Sequence, residues 1–241
     1  MVDIIFVCYN NRKDIKRCFT TLERYTESYN NVILIDNNSN VKTIKTIVRY
    51  KSILKKGNFI FQRNSKNLGY AYALNQGIKI SISRYLIFAN LDIAFTEGWL
   101  QPLIHELKKD EVAFVGGKIL DRHKRLNSCG IGGTEKNRYH RGWGEKDRGQ
   151  YDKIEEVISV SGALFGSKRE IFDKIGFFDE NFFLYFEETE MHIRARRAGY
   201  KIIYTPYSRI IHYLGGSPKK RGDKSRWFKE SEKYFNKKLG F

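Results

Sequence analysis

Hydrophobic residues along the first ninety positions of the chain follow two alternating patterns. Continuous apolar runs, each followed by polar residues, predict four buried strands at 3–9, 31–36, 58–62 and 84–89. Between them, apolar positions spaced three or four apart predict helices at 14–25, 42–54 and 71–82. Alternation of strands and helices is typical of a parallel sheet with helices on both faces.

The pattern is less regular after residue 92. Further elements are predicted as helices at 99–107 and 169–175 and as strands at 112–115, 157–165, 201–204 and 209–212. Residues 128–150 contain six glycines among Arg, Lys and His, which predicts a mobile loop over a site. No repeat or clean linker divides the chain, so we expect one α/β domain with a mixed, mostly parallel central sheet.

Composition supports a folded protein in a reducing compartment. The chain has 241 residues, of which 41% are hydrophobic, enough for a substantial core. The three cysteines, Cys8, Cys18 and Cys129, fit no zinc or disulfide spacing, which favours the cytoplasm. Residues 1–9 are expected to be a buried strand rather than a signal peptide, and no apolar run is long enough to span a bilayer.

The net charge of +17 predicts an anionic partner: a nucleotide, a nucleic acid or an anionic lipid surface. Residues 218–241 add a basic segment in which aromatic residues are interleaved, at Trp227, Phe228, Tyr234 and Phe235. This segment has three interpretations: a helix at the inner face of a membrane, an amphipathic helix packed on the domain, or a lid that orders when a ligand binds.

Polar side chains follow three of the predicted strands, at Tyr9-Asn10, Asp36-Asn37 and Asn90-Leu91-Asp92. In open α/β sheets, ligands bind beyond the carboxyl ends of the strands, although Asn and Asp are also common in turns. Asp92 is suitably placed to hold a divalent ion against a diphosphate. His212, at the end of a later apolar strand, is either a second metal ligand or a hydrogen-bonded structural residue.

Three glutamates, Glu187, Glu188 and Glu190, follow five apolar or aromatic residues at 182–186. An apolar surrounding and a neighbouring like charge raise the pKa of a carboxyl group, which is how a glutamate becomes a general base. The same residues also suit the first turn of a helix, with Glu190 paired to Arg194. The segment alone leaves both interpretations open.

Two common nucleotide-binding motifs are missing from the sequence. No G-x-G-x-x-G follows the first predicted strand, and no Walker lysine loop occurs anywhere. The dinucleotide oxidoreductase and P-loop classes therefore lack their characteristic motif.

Taken in order, these motifs resemble the inverting family 2 glycosyltransferases, particularly rhamnosyltransferase-like members. The resemblance extends over about residues 3–220. Its first half rests on Tyr9-Asn10, Ile35-Asp36-Asn37, Asn64 to Asn75 and Asn90-Leu91-Asp92. Its second half rests on Ser161-Gly162-Ala163, Gly176 to Glu180, Phe183 to Glu190 with Arg194 and Gly199, and Ile210-Ile211-His212 continuing to Ser217.

The resemblance implies a GT-A fold and a role for each matched residue. Asp36 and its neighbours would contact the nucleobase and ribose, and the donor pocket as a whole would comprise Tyr9, Asn10, Asp36, Asn37, Asn67, Gly69, Asn75 and Asn90. Asn90-Leu91-Asp92 takes the place of the family's Asp-x-Asp metal motif, so Asp92, with His212, would bind Mn²⁺ or Mg²⁺. Glu187-Glu188 takes the place of a Glu-Asp pair, so Glu188 would be the base, with Glu187 as the alternative.

The resulting expectation is a catalytic domain at 1–217, with a nucleotide-sugar half at about 1–95, an acceptor half at about 96–217 and a separate segment at 218–241. Its partners would be a nucleoside-diphosphate sugar and a carbohydrate or lipid-linked acceptor, in cell-surface polysaccharide or glycolipid synthesis. The protein would be cytoplasmic, with peripheral membrane binding through its basic surface. There are two competing hypotheses. The first is a nucleic-acid or anionic-surface binding protein without transferase activity, and the second is a binding module or nucleotidyltransferase of the same layout. The sequence contains no RNA-binding motif, so no nucleic acid is expected as a partner.

Overall fold

The computed structural model describes residues 1–213 and 221–241, with side chains described outside 221–225. In chain order the elements are β1 (Val2–Cys8), α1 (Ile15–Tyr25), β2 (Asn31–Asp36), α2 (Val41–Tyr50), β3 (Asn58–Arg63), α3 (Tyr70–Ile80), β4 (Tyr85–Ala89), β5 (Ile93–Phe95), α4 (Leu100–Leu107), β6 (Val112–Asp121), β7 (Leu126–Ser128), β8 (Ile131–Gly133), β9 (Arg138–His140), β10 (Glu155–Glu156), β11 (Leu164–Lys168), α5 (Arg169–Ile175), α6 (Glu187–Arg197), β12 (Lys201–His212) and α7 (Arg221–Leu239). A short 3₁₀ turn, Lys51–Ile53, follows α2.

The first half of the chain forms the parallel part of the sheet. β1 lies between β2 and β4, and β3 pairs with the outer edge of β2, all in parallel register. β2 and β4 are buried at every position, which explains their continuous apolar sequences. The parallel register places Cys8 opposite Asp36, so the polar residues that follow these strands gather at one edge of the sheet.

The second half completes a mixed sheet whose long strands follow the order β12-β6-β11-β4-β1-β2-β3. β11 is antiparallel to both of its neighbours, β4 and β6, and β12 is parallel to β6. All the strands in this order except β11 therefore run in the same direction. The expected mixed, mostly parallel sheet is confirmed.

Helices cover both faces of the sheet. One hydrophobic cluster joins alternate residues of β1 to α1, α2 and α4, through residues such as Phe19, Ile47 and Leu103. The other joins the opposite face to α3, α5 and α6, through residues such as Leu74 and Phe172. This two-sided burial accounts for the alternation of apolar runs and helical spacing in the sequence.

Three sequence-based boundaries are corrected by the structure. The strand predicted at 157–165 lies instead at Leu164–Lys168, because these residues pair with β4 and the central three of them also pair with β6. The strands predicted at 201–204 and 209–212 are one strand, β12, with an irregularity between Thr205 and Arg209. The glycine-rich loop predicted at 128–150 contains a hairpin of β8 and β9.

The helix α7 packs on the domain, which agrees with the second of the three interpretations of the basic segment. Phe235 is buried together with Phe182 and Ile193 in a third hydrophobic cluster, separate from the two clusters on the sheet. The predicted domain boundary at 217, the motif residues Gly215 to Ser217 and the first residues of the basic segment lie outside the described residues. Within the described ranges, no helix combines the length and apolar character needed to cross a membrane.

Candidate active site

A cleft of about 330 Å³ opens at the carboxyl ends of β1, β2 and β4. Most of the site residues predicted from the sequence line it: Tyr9, Asn37, Asn67, Gly69, Asn90, Asp92, Glu187, Glu188 and His212. Residues from both halves of the chain therefore meet in one cavity, as expected for a ligand site at the edge of an α/β sheet.

Strand pairing brings Asp92 and His212 together although they are 120 positions apart. β5 begins one residue after Asp92 and pairs in antiparallel register with the end of β12, so that Ile93 lies opposite His212. The amide of Tyr213 also donates to the carbonyl oxygen of Asp92, at 2.8 Å. As a result, the Nε2 atom of His212 lies 3.2 Å from the Oδ1 atom of Asp92.

The second ring nitrogen of His212 is occupied by a different partner. Nδ1 lies 3.2 Å from the Oδ1 atom of Asn127, an acceptor, so the assigned geometry places a proton on Nδ1. Nε2 is the ring nitrogen that faces the Asp92 carboxylate. A side chain that fixes one nitrogen of a histidine in this way is typical of metal-ligating histidines.

The donor set suits a divalent cation that is shared with a ligand. Within residues 1–213 and 221–241, no three His, Cys, Asp or Glu side chains form a complete metal site. One carboxylate and one imidazole leave most positions to phosphate oxygens and water, which is how Mg²⁺ and Mn²⁺ bind beside nucleotides. Asn90 is hydrogen-bonded through its Oδ1 atom to the Tyr70 hydroxyl, at 3.0 Å.

A guanidinium group lies close to this pair. Arg17, on α1, stacks over the ring of Tyr213 at 3.6 Å and donates to the carboxylate of Asp14. Because Tyr213 directly follows His212, this positive charge is one stacked ring away from the Asp92–His212 pair. The ion pair with Asp14 offsets the charge of Arg17, so its contact with Tyr213 chiefly fixes the ring that follows His212.

Side-chain amides build the wall of the cleft at the ends of β2 and β3. Asn37 donates to the carbonyl oxygen of Gly69 at 2.8 Å, and Asn64 donates to the Oδ1 atom of Asn37 at 2.9 Å. Gly69 has a φ of +93°, and a Cβ atom there would come within 3.0 Å of the carbonyl oxygen of Phe183. Glycine at position 69 thus allows the segment that carries the glutamates to approach this wall closely.

Three predicted donor residues do not line the cleft. Asp36 is fully buried; its carboxylate accepts the amide of Ser39 and lies 3.3 Å from the Nε atom of Arg63. Asn10 accepts the amide of Asn40 at 2.9 Å and is exposed. Asn75 is buried in α3, and its side chain both donates to and accepts from the backbone of Phe178.

The two central glutamates are presented by an unusual helix start. Glu187 is the first residue of α6, and the preceding Tyr185 and Phe186 both have left-handed backbones, with φ of 75° and 70°. Such conformations cost of the order of 1–3 kcal/mol each for non-glycine residues and cluster at functional sites. No side chain caps the helix, and the amides of Glu187, Glu188 and Thr189 hydrogen-bond to the glutamate carboxyl groups instead.

Burial raises the pKa of both carboxyl groups. For Glu187 the burial is nearly complete, at 4% exposure, and the charge of Glu188 raises its pKa further. For Glu188, burial is opposed by hydrogen bonds from its own amide and that of Thr189, so its pKa is raised less far. Among the described residues, the Oε2 atom of Glu187 has no hydrogen-bond partner, which suits a protonated, neutral group.

Glu188 is the member of the pair that a ligand can reach. It is partly exposed in the cleft, whereas Glu187 is buried beneath it. Its carboxyl carbon lies 3.3 Å from the position that a Cβ atom on Gly162 would occupy, so the glycine leaves room for it. Ser161-Gly162-Ala163 reaches this place because Asn90 bonds to the carbonyl of Ala163 where β11 pairs with β4.

Glu190 has a structural role. It is paired with Arg194, as expected if the acidic segment is the first turn of a helix. Both of its carboxylate oxygens accept hydrogen bonds from Arg194, at 3.1 Å, and Lys238 lies 2.9 Å away. The helix-start interpretation therefore holds for Glu190, and the general-base interpretation of Glu187 and Glu188 stays a prediction.

Several cleft residues carry no local signal in the sequence. His140, on the β8–β9 hairpin, and Trp227, on α7, line the cleft with Phe183 and Tyr185. Asn127 reaches His212 only because β7 folds back on β6. The glycine-rich character of 128–150 indicated a segment over the site, but it did not distinguish His140 from the exposed Trp143.

Comparison with known proteins defines the family. The family model described as "Glycosyl transferase family 2" matches residues 3–176. The chain belongs to glycosyl transferase family 2. The matched range holds Asp92 and the amide-lined wall of the cleft, while α6, β12 and α7 of this family 2 chain follow it.

Individual relatives of this family 2 chain are distant. The N-acetylglucosaminyl-diphospho-decaprenol L-rhamnosyltransferase of Mycobacterium tuberculosis is 22% identical over 246 residues, covering 90% of this chain and 77% of the relative. The O-antigen biosynthesis protein RfbC of Myxococcus xanthus is 26% identical over 151 residues, covering 59% of this chain, which spans only 12% of that protein.

The crystal structure of GalNAc-T7 with UDP, GalNAc and Mn²⁺ superimposes with a TM-score of 0.72 at 18% identity. The superposition covers 89% of this chain and 44% of GalNAc-T7. This likeness confirms the GT-A fold that the sequence motifs predict.

Replacement of Glu188 by Gln should stabilise the folded protein at neutral pH. Because the pKa is higher in the folded than in the unfolded chain, the free energy of unfolding falls as pH rises from the ordinary glutamate range through the raised pKa. Glu188→Gln lacks this decline and should melt at a higher temperature, by about 2–4 °C for each kcal/mol gained. Thermal melts between pH 4 and pH 8 should show the difference shrinking as the pH is lowered.

Glu190→Gln is the control on the same helix. It leaves Arg194 and Lys238 without their carboxylate, so its melting temperature should fall. Equal losses of stability in the Glu188→Gln and Glu190→Gln variants would contradict a raised pKa for Glu188.

Replacement of Asn75 by Ala should lower stability and leave nucleotide affinity unchanged. The side chain joins α3 to Phe178 and Glu180. Its loss leaves the backbone amide and carbonyl of Phe178 without these hydrogen bonds, which should lower the free energy of unfolding by about 1–3 kcal/mol. Calorimetric titration with nucleotide, beside a thermal melt, separates the two effects. Lost affinity with an unchanged melting temperature would instead support the donor-binding role expected from the motif.

Proposed function

We propose that the protein is an inverting glycosyltransferase that moves a sugar from a nucleoside-diphosphate sugar to a hydroxyl group of an acceptor, in the synthesis of a cell-surface polysaccharide or glycolipid. One observation carries the proposal: the Asp92–His212 pair and the buried glutamate pair line the same cleft. The first suits a departing diphosphate, and the second suits an attacking hydroxyl.

The donor would lie along the wall built by the amide side chains. Tyr9, Asn37, Asn67 and Asn90 offer hydrogen bonds at the strand ends, and Asp92 with His212 would hold Mn²⁺ or Mg²⁺ at the diphosphate. A divalent ion bound there supplies positive charge that stabilises the leaving nucleoside diphosphate. The presence of UDP and Mn²⁺ in the GalNAc-T7 structure supports this arrangement.

Glu188 would act as the general base. Its carboxylate removes the proton of the acceptor hydroxyl while the hydroxyl oxygen forms a bond to the anomeric carbon, and the bond from that carbon to the diphosphate oxygen breaks. The neutral form of Glu187 lets its neighbour carry the negative charge at neutral pH. A single displacement inverts the configuration, so a second carboxylate of the hydrolase type is not needed.

The acceptor would enter beside the aromatic wall of the cleft. Phe183, Tyr185 and Trp227 offer the flat apolar surfaces that suit one face of a sugar ring. A lipid-linked acceptor is supported by the name of the Mycobacterium tuberculosis relative. Exposed lysines on α7, at Lys229, Lys233 and Lys237, suit peripheral contact with an anionic membrane.

A panel of UDP-, GDP- and dTDP-sugars, tested for thermal stabilisation with and without Mn²⁺, would identify the donor. A cognate donor should raise the melting temperature, and removal of Mn²⁺ with a chelator should cancel most of that rise. Release of diphosphate rather than nucleoside diphosphate during turnover would instead identify a nucleotidyltransferase.

Asp92→Ala and Glu188→Gln should both abolish sugar transfer, but for different reasons. Asp92→Ala should weaken nucleotide binding in the presence of Mn²⁺, because the carboxylate beside His212 is lost. Glu188→Gln should bind donor normally and lose about 10²–10⁴-fold in turnover, the usual contribution of a general base. Nucleotide titrations and transfer assays on both variants test this division.

Glu180→Gln provides a control carboxylate outside the cleft lining. It removes a negative charge near Asn75 and should leave both donor affinity and turnover close to those of the wild type. Near-normal turnover in Asp92→Ala or in Glu188→Gln would show that the corresponding role is wrong.

A further inference from the structure

One face of α7 contacts the segment that leads into the glutamates. The residues on this face recur every three or four positions, as a helical face requires: Trp227, Phe228, Ser231, Tyr234, Phe235 and Lys238. The segment they contact begins at Asp179 and ends at Glu190. This is therefore the face by which α7 packs against the domain.

Residues of this face contact Tyr185 and Phe186, the two residues with left-handed backbones. The ring of Phe228 lies 5.7 Å from the ring of Tyr185 and 5.0 Å from that of Phe186. Phe235 lies 5.1 Å from Phe186 on its other side. The hydroxyl of Ser231 donates to the carbonyl of Leu184 at 2.8 Å, one residue before the left-handed pair.

These contacts stabilise the strained backbone before α6, which α6 itself does not cap. Strained backbone conformations persist only where the surrounding structure fixes them, and α6 has no side-chain cap at its start. On the opposite side, the segment is held by the amide of Tyr70, which donates to the carbonyl of Phe183 at 2.7 Å. The segment is thus held between α3 and α7.

We propose that Phe228 and Phe235 of α7 are positioning residues, which hold Tyr185 and Phe186 in their left-handed conformation and so aim the carboxyl groups of Glu187 and Glu188 into the cleft. The family model ends at residue 176, so membership of the family does not assign this role to α7. The inference rests on the proposed function, since it concerns the base of that reaction. Its structural part can be tested without turnover.

Other charged and titratable groups face the glutamate pair from each neighbouring element. Tyr70 on α3, Asp92 after β4, His140 on β9 and His212 on β12 line the same cleft, as does Tyr185, two residues before Glu187. Lys238 of α7 is engaged by Asp179 and Glu190, on the far side. Loosening of the segment would admit water to the pair and weaken the effect of burial on both carboxyl groups.

Phe228→Ala is the decisive variant, and Phe61→Ala is its matched control. Both phenylalanines are partly exposed, at 43% and 40%, but Phe61 lies on β3, away from the glutamates. Phe228→Ala should lower kcat by about tenfold with less than about a twofold change in donor KM, because a misplaced base affects the chemical step. The acid limb of its pH–rate profile should move to lower pH.

Two further results complete the test. Phe228→Tyr, which keeps the ring, should restore kcat to within about threefold of the wild type, and Phe61→Ala should match the wild type. Hydrogen exchange at the amides of residues 187–190 should be faster in Phe228→Ala than in Phe61→Ala.

The possible failures are distinguishable. A wild type that transfers no sugar from any donor in the panel overturns the proposed function, and hydrogen exchange then decides the positioning role by itself. Unchanged exchange and unchanged kcat in Phe228→Ala overturn the inference. A parallel loss of kcat and nucleotide affinity would also overturn it, since that result indicates general loosening of the fold.

Discussion

The removal from water of two adjacent glutamates at the start of one helix, Glu187 almost wholly and Glu188 in part, is the constraint on which the cleft depends. A carboxylate pair removed from water is unfavourable unless one member is neutral or a partner supplies positive charge. Here Glu190, three positions after Glu187, takes the available cations Arg194 and Lys238 for itself. The first pair is left with helix amides and a proton, which are the conditions that produce a general base.

The pairing of strands in the sheet brings together cleft residues that are far apart in the sequence. Antiparallel β11 runs back beside β4 and delivers Gly162 to Glu188, while β5 pairs with the end of β12 and delivers His212 to Asp92. Both contacts follow from register, so a shift of one residue in either ladder would separate the groups. The glutamate side and the Asp92–His212 side of the cleft thus share one scaffold.

Much of the fold and part of the site could be predicted from local sequence. Buried parallel strands have continuous apolar sequences, so their polar ends, and with them Asp92, were identifiable. The face of a helix that a side chain occupies depends on what packs there, which is why Asn75 was assigned to the donor pocket although it bonds to Phe178. Asn127 and His140 reach the cleft through hairpins whose pairing no local pattern specifies. The role of α7 was open for the same reason, since its aromatic residues do not specify which segment they pack against.

The central claim is that the carboxyl groups of Glu187 and Glu188 titrate as a buried, interacting pair. Carbon-13 NMR of the glutamate side chains, with assignments from Glu187→Gln and Glu188→Gln, measures this directly. The account predicts two carboxyl signals that titrate above the ordinary value of about 4.3, with the signal of Glu187 moving to lower pH when Glu188 is replaced. Titration of both groups near about 4.3, with neither affected by replacement of the other, would contradict it.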